Sequence, residues 1–140
     1  MPETQNPIEL RPIGVVESPL VDRRDAPRQG DEGAPDAWLL LDDTFVAGLD
    51  GVAVGAQIIV MTWFDRADRD VLRTRPRDDP GRPEQGVFTT RSPDRPNPIG
   101  LHEVTVLAIE GARLHVNHMD ALDGTPILDL KPVLPSIEAR

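Results

Sequence analysis

The amino-acid sequence predicts an all-β fold, mainly antiparallel and with little helix, built as a small barrel or sandwich. Fifteen prolines and eleven glycines divide the 140 residues into short segments separated by firm turns. The segments between the turns are rich in Val, Ile, Leu and Thr, as strands are. The alternating strand–helix spacing and the glycine-rich phosphate loop of a nucleotide-binding α/β sheet are both missing from the sequence.

The first part of the chain is predicted to hold a tail, two strands and a long loop. Residues 1–7 are expected to form a disordered tail. The apolar run that ends in residues 13–16 is typical of a strand, and Ser18-Pro19 stops it. Residues 21–36 are rich in Pro, Gly, Arg and Asp, and a loop of this length is often functional. Residues 37–41 favour a second strand.

The next segments are read from their apolar runs and their capping residues. Residues 43–49 fit one helical turn, with Asp42 or Asp43 as the N-cap. Residues 57–64, the most apolar run, predict a central strand that is buried on both faces. Residues 65–72 fit a short helix capped by the first of them. A charged, proline-rich loop is expected after this helix.

The stretch GVFTTRSPDRPNPIGL, residues 86–101, is the most distinctive part of the chain. It is expected to begin as a short strand over 87–90 and to continue as a stiff loop, because three prolines follow within six residues. Such a loop presents its polar side chains at nearly fixed positions, where they can bind a carboxylate, a phosphate or a purine edge. Those side chains are Arg91, Ser92, Asp94, Arg95 and Asn97. The alternative is a stiff crossover whose arginines pair with the protein's own carboxylates.

The last third predicts a hairpin and one more strand. Residues 99–110 alternate, so His102 and its even-numbered neighbours face one side while Leu101 and its odd-numbered neighbours face the other. A turn at Gly111-Ala112 returns the chain through residues 113–117. The turn LDGTP, residues 122–126, then precedes a brief strand. Its Thr125 hydroxyl and its N–H groups are expected to be exposed, and Asp123 can accept a hydrogen bond from a ligand. The alternative is a hairpin corner in which the Asp caps its own turn.

Composition limits the function classes. The length fits one domain, and the sequence shows neither a leader nor an apolar run long enough to span a membrane, so a cytoplasmic protein is expected. The absence of Cys excludes disulfides and thiol chemistry, and the three scattered histidines predict no metal site. A net charge of −9 works against broad binding of nucleic acid. The arginines crowded into the middle third nevertheless indicate an anionic partner, unless the interleaved aspartates neutralise them.

Four segments together resemble the TsaA-like domain of the TrmO (YaeB) family of S-adenosylmethionine-dependent tRNA methyltransferases. They are APRQG, the TWF strand end, GVFTTRSPDRPNPIGL and DALDGTPILDLKP, and they occur in the family's order. The resemblance implies a small antiparallel β-barrel, one domain over residues 1–140, without the additional C-terminal domain of longer bacterial members. It also implies a homodimer that methylates N6 of threonylcarbamoyl-adenosine next to the tRNA anticodon.

The resemblance also implies which residues form the site. The residues expected to bind S-adenosylmethionine are Arg28, Gln29, Gly30, Phe64, Asp65, Arg91, Leu101, Leu122, Asp123, Gly124 and Thr125. Asp123 or Asp65 is the candidate for taking the acceptor's proton. The residues expected to bind the RNA substrate are Arg69, Arg73, Arg95 and Asn97.

Asp65 departs from the family, which commonly carries His after this phenylalanine, so the chemistry on the acceptor side stays open. Two alternatives accompany the leading hypothesis. One is S-adenosylmethionine-dependent methylation of a small molecule or another RNA, and the other is a non-enzymatic module that binds the cofactor.

Overall fold

The computed structural model describes residues 7–25, 33–76 and 79–135. The strands are β1 Gly14–Glu17, β2 Ala37–Leu41, β3 Gln57–Trp63, β4 Arg73–Thr74, β5 Gln85–Gly86, β6 Ile99–Glu110, β7 Arg113–Val116 and β8 Pro126–Pro132. Short 3-10 helices occupy Arg23–Asp25, Asp43–Leu49 and Val87–Thr89. Among the described residues, no helix is long and apolar enough to cross a membrane.

Six strands close into a barrel, which confirms the predicted fold class. Their order around the barrel is β1-β2-β7-β6-β3-β8, and every neighbouring pair is antiparallel. The ring closes where Gly14 and Val15 of β1 pair with Ile127 and Pro126 of β8. The two-residue strands β4 and β5 form a separate hairpin at the two ends of the predicted charged loop, residues 74–85.

The barrel core follows the alternation of the strands. On β6 the side chains of His102, Val104 and Val106 point inward and are buried, while Leu101 and Glu103 are exposed. The two sets therefore lie on opposite faces, as predicted. Each of the six barrel strands contributes fully buried apolar side chains to the interior, among them Val16, Leu39, Val60, Val106, Leu114 and Ile127. Burying each such side chain contributes roughly 1.5–3 kcal/mol, so this interior is the main source of stability.

The predicted strands at 37–41 and 99–110 and the predicted helical turn at 43–49 are confirmed with the same bounds. Asp42 is the N-cap of that turn: its Oδ1 accepts the Thr44 N–H at 2.8 Å. This hydrogen bond is the main reason why the pKa of the Asp42 carboxyl lies below its ordinary value. The predicted tail lies outside the described residues except for Pro7, which is exposed.

Three local predictions are wrong. β3 is a central strand, but only its inward-facing side chains are buried. Its outward-facing side chains are half-buried or exposed. Residues 87–89 form a 3-10 helix rather than a strand. Residues 65–72 form turns and bends rather than a helix. Here Asp94 accepts the Asp68 N–H at 2.9 Å and Asp68 accepts the Asp70 N–H at 2.9 Å, so side chains take the donors that a helix would use.

Candidate functional site

A cavity of about 870 Å³ lies between the end of β3, the start of β6 and the segment before β8. Its remaining side is formed by the stiff loop of residues 91–98, called the proline loop below. Its size falls within the range of pockets that hold a small molecule. Phe64, Leu101 and Leu122 supply an apolar wall, and Arg91, Asp65 and Asp120 supply charge. The cavity can therefore hold a ligand that combines an apolar body with charged groups.

The proline loop is held in place by Arg95. Its Nη2 donates to the carbonyl oxygens of Val87 and Thr90, the latter at 2.6 Å. These bonds tie the 3-10 helix to the loop, so that Arg91 and Ser92 are carried at the cavity wall. The Nε atom of Arg95 is buried and has no hydrogen-bond partner among the described residues. Arg95 also lines the cavity, and its predicted contact with the substrate stays a prediction.

The guanidinium of Arg69 braces the same loop from its other side. It donates to the Pro96 carbonyl oxygen at 2.7 Å and to Asn97 Oδ1 at 3.1 Å. It also lies 5.0 Å from the centre of the Trp63 ring, a cation–π distance. Arg73 is paired with Glu84 inside the β4–β5 hairpin at 3.1 Å. Arg69, Arg73 and Asn97 are thus bonded within the protein and are not among the residues that line the cavity.

Arginine side chains outnumber carboxylates around the cavity, although the net charge of the protein is −9. The arginines that line it are Arg23, Arg24, Arg66, Arg75, Arg82, Arg91 and Arg95, against Asp65 and Asp120. Nearby carboxylates offset part of this charge, as the prediction of local neutralisation requires. Asp94 pairs with Arg23 at 3.0 Å and Asp22 with Arg24 at 2.8 Å. The Arg24 guanidinium lowers the pKa of Asp22, and Asp22 raises the pKa of Arg24.

Arg91 differs from these paired arginines. It has neither a hydrogen bond nor an ion pair within the part of the chain that the structure describes. Arg95 fixes the backbone just before Arg91, so the exposed Arg91 side chain starts from a defined place on the cavity wall. A ligand carboxylate could therefore bind Arg91 without displacing a partner from residues 7–25, 33–76 or 79–135.

The turn after Leu122 is fixed to the end of β1. Asp123 Oδ1 accepts the Ser18 N–H at 3.0 Å, and the N–H groups of Asp123 and Gly124 donate to the Leu20 and Val16 carbonyl oxygens, both at 2.7 Å. Gly124 has φ 82°, a left-handed conformation that favours glycine. The Thr125 N–H and hydroxyl both donate to the Leu122 carbonyl oxygen, and Thr125 is buried. The prediction that this turn exposes its donors is wrong.

A buried chain of polar side chains reaches the cavity, and the residue patterns did not predict it. Thr62 Oγ1 lies 2.6 Å from His102 Nε2, and His102 Nδ1 is hydrogen-bonded to Asp120 Oδ1. The Phe64 ring meets the imidazole edge-on, with ring centres 5.7 Å apart. The one sequence signal was that His102 falls on the inward face of β6, since a polar side chain there must find a buried partner.

The structure gathers six of the eleven predicted cofactor-binding residues and one of the four predicted substrate-binding residues around one cavity. Phe64, Asp65, Arg91, Leu101, Leu122 and Thr125 of the predicted cofactor residues line the one cavity, as does Arg95 of the predicted substrate residues. Asp123 and Gly124 form the turn behind Leu122 and do not line it. Arg28, Gln29 and Gly30 lie outside the described residues.

Fold and cavity together define a small antiparallel β-barrel with a ligand-sized pocket surrounded by arginines. Residues 15–139 match the model of the tRNA-methyltransferase O N-terminal domain. The chain therefore belongs to that family.

Relatives and solved structures agree with this assignment. The chain is 48% identical over 130 residues to an S-adenosyl-L-methionine-binding protein of Archaeoglobus fulgidus, covering 92% of this chain and 91% of that protein. It is 41% identical to a probable S-adenosyl-L-methionine-binding protein of Methanothermobacter thermautotrophicus, covering 94% of each. A crystal structure of TrmO from Pseudomonas aeruginosa superposes with a TM-score of 0.74 at 30% identity over 96% of this chain. The chain spans 60% of the length of that TrmO chain.

Proposed function

We propose that the chain binds S-adenosylmethionine in this cavity and transfers its methyl group to tRNA, at N6 of threonylcarbamoyl-adenosine next to the anticodon. The observation that carries the proposal is the cavity's mixture of an apolar wall and Arg91, which pairs with no described residue, within a family named for tRNA methylation. Its relatives' names, which specify S-adenosylmethionine binding, support the same ligand.

The cavity residues fit this ligand in chemical type. Arg91 suits the carboxylate of the methionine part, and Asp65, exposed at the cavity, suits its ammonium group. Phe64, Leu101 and Leu122 suit the adenine ring and the methyl group. S-adenosylmethionine supplies a methyl group already activated on a sulfonium sulfur. The protein's contribution is then to align the acceptor nitrogen, to exclude water and to take one proton.

The arginines around the cavity support an RNA acceptor. Their charge is local, so an acidic protein can still attract the phosphates next to one exposed nucleotide. Phe88, at 81% exposed, stands at the same cavity and offers a flat ring on which a base can stack. The homodimer and the cytoplasmic location implied by the sequence stay predictions.

The test is transfer of radiolabelled methyl groups from S-adenosylmethionine to two tRNA preparations, with and without the threonylcarbamoyl modification. Incorporation in the modified tRNA alone is expected. Incorporation in both preparations would show a different RNA acceptor. Cofactor binding without incorporation in either would contradict the tRNA methyltransferase proposal and leave two alternatives: methylation of a small molecule or another RNA, or the binding module, which the relatives' names also fit.

A further inference from the structure

With an ionised Asp120 and a neutral His102, one pattern of donors and acceptors satisfies all three side chains of the Thr62–His102–Asp120 chain. An ionised carboxylate only accepts, so His102 Nδ1–H donates to Asp120. In the neutral imidazole Nε2 then accepts, and the Thr62 hydroxyl donates to it across 2.6 Å. The His102 side chain is 1% exposed, so water does not compete for these bonds. The hydrogen bond from His102, which Thr62 holds in turn, keeps the Asp120 carboxylate in one orientation.

Asp120 itself reaches the cavity. Its side chain is 16% exposed, and its Oδ2 has no hydrogen-bond partner among the described residues. Asp65 is the other carboxylate that lines the described cavity, but it is exposed and nothing in the described residues orients it. The cationic side chains there are arginines, which stay charged at every pH of interest. His102 also lines the cavity, but both of its ring nitrogens are bonded, to Thr62 and Asp120. Asp120 Oδ2 is therefore the oriented basic atom at the described cavity wall that is free to take a proton.

We propose that Asp120 accepts the proton released in methyl transfer, with His102 and Thr62 as positioning residues; this rests on the proposed function. As the acceptor nitrogen forms its bond to the methyl carbon, the carbon–sulfur bond breaks and its electron pair stays on sulfur. The nitrogen loses its proton to Asp120 Oδ2, so the positive charge of the sulfonium is balanced by neutralisation of the carboxylate. An oriented carboxylate suffices because a nitrogen that carries the new methyl group and its old proton is strongly acidic.

The test is the variant Asp120→Asn, which keeps the shape of the side chain and an oxygen for His102 but removes the base. Calorimetry should give affinities for S-adenosylmethionine and S-adenosylhomocysteine within about three-fold of wild type, while kcat for RNA methylation falls at least about 100-fold. Asp65→Asn should instead weaken cofactor binding and reduce kcat less than Asp120→Asn does. Glu103→Gln, on the outer face of β6, is the control for loss of charge alone.

His102 is tested by comparing kcat with cofactor affinity. His102→Leu removes the hydrogen bond that orients Asp120, so kcat for RNA methylation should fall while the affinity for S-adenosylmethionine stays within about three-fold of wild type. His102→Gln, whose amide can still donate, should restore most of kcat; equal kcat values for wild type and His102→Leu would refute the positioning role. This pair of variants also serves if Asp120→Asn does not fold.

Three other results would overturn the inference. Selective loss of affinity for S-adenosylmethionine, with S-adenosylhomocysteine unaffected, would make Asp120 a partner of the sulfonium charge instead of a base. A wild-type kcat in Asp120→Asn would refute the role of Asp120 as proton acceptor but would not contradict RNA methylation. A wild-type protein without turnover would remove the proposed function and the inference together.

Discussion

Gly100, at the start of β6, has no room for a side chain. A Cβ at this position would lie 2.5 Å from Phe64 Cζ and 2.5 Å from Thr62 Oγ1, about 1 Å inside ordinary contact. Relief of these contacts would push Phe64 from its place at the cavity wall or turn Thr62 away from His102. Gly100→Ala is therefore expected to destabilise the fold by about 1–3 kcal/mol, the usual cost of overpacking.

Thermal unfolding and calorimetric titration with S-adenosylmethionine measure the two consequences. A loss of this size should lower Tm by several degrees in a chain of this length. Displacement of Phe64 should also weaken cofactor binding, because the apolar wall would move into the space of the ligand. The matched control is Gly86→Ala: Gly86 has φ −64°, and outside its chain neighbours no described residue has an atom within 4 Å of the position that a Cβ would take, so neither quantity should fall. A Gly100→Ala protein with wild-type Tm and affinity would refute the reasoning.

Three further predictions concern single side chains. Arg91→Ala should weaken S-adenosylmethionine binding in calorimetry by about 1.5–3 kcal/mol, the value of a charged hydrogen bond. The control is Arg24→Ala, which should have a much smaller effect because the Arg24 guanidinium is already paired. Equal losses of affinity in the two variants would contradict the carboxylate contact. Phe88→Ala should weaken binding of the modified tRNA in filter binding while cofactor affinity is kept. Asp42→Ala should lower Tm at neutral pH. Because the pKa of Asp42 is depressed in the folded state, its stabilisation is present above 3.8 and lost as pH falls through the lower folded pKa, so the Tm difference should vanish in acid.

Periodicity predicted the parts of the fold in which each residue's environment follows from its neighbours in sequence. Residues 99–110 alternate between a core face and an outer face, and both the bounds and the faces of β6 follow from that pattern. The same method was wrong for 65–72, because the donor and acceptor choices there depend on Asp94, which is 26 residues from Asp68. Local propensity cannot include a partner so far along the chain.

In the candidate site, too, residues that depend on distant partners were not predicted. Residue types and the family resemblance indicated Phe64, Arg91, Leu101 and Leu122, which the fold gathers around one cavity. They did not indicate Asp120, because its role follows from a contact with His102, 18 residues away, and from the contact of His102 with a threonine 40 residues before it. They also could not show that the turn at Gly124 has its donors occupied.

Closure of the ring between β1 and β8 affects how the protein folds. Ser18 and Asp123, which fix the turn behind the cavity, are 105 residues apart, and the β1–β8 pairing joins segments about as distant. Contacts of such high sequence separation carry a large loop-closure cost and form slowly. The hairpin of β6 and β7, joined by a two-residue turn, can form early. The turn that carries Leu122 is fixed only when β1 meets the segment that leads into β8. A refolding molecule would thus gain ligand affinity in its last step, and ligand present during refolding would trap closed barrels without accelerating their formation.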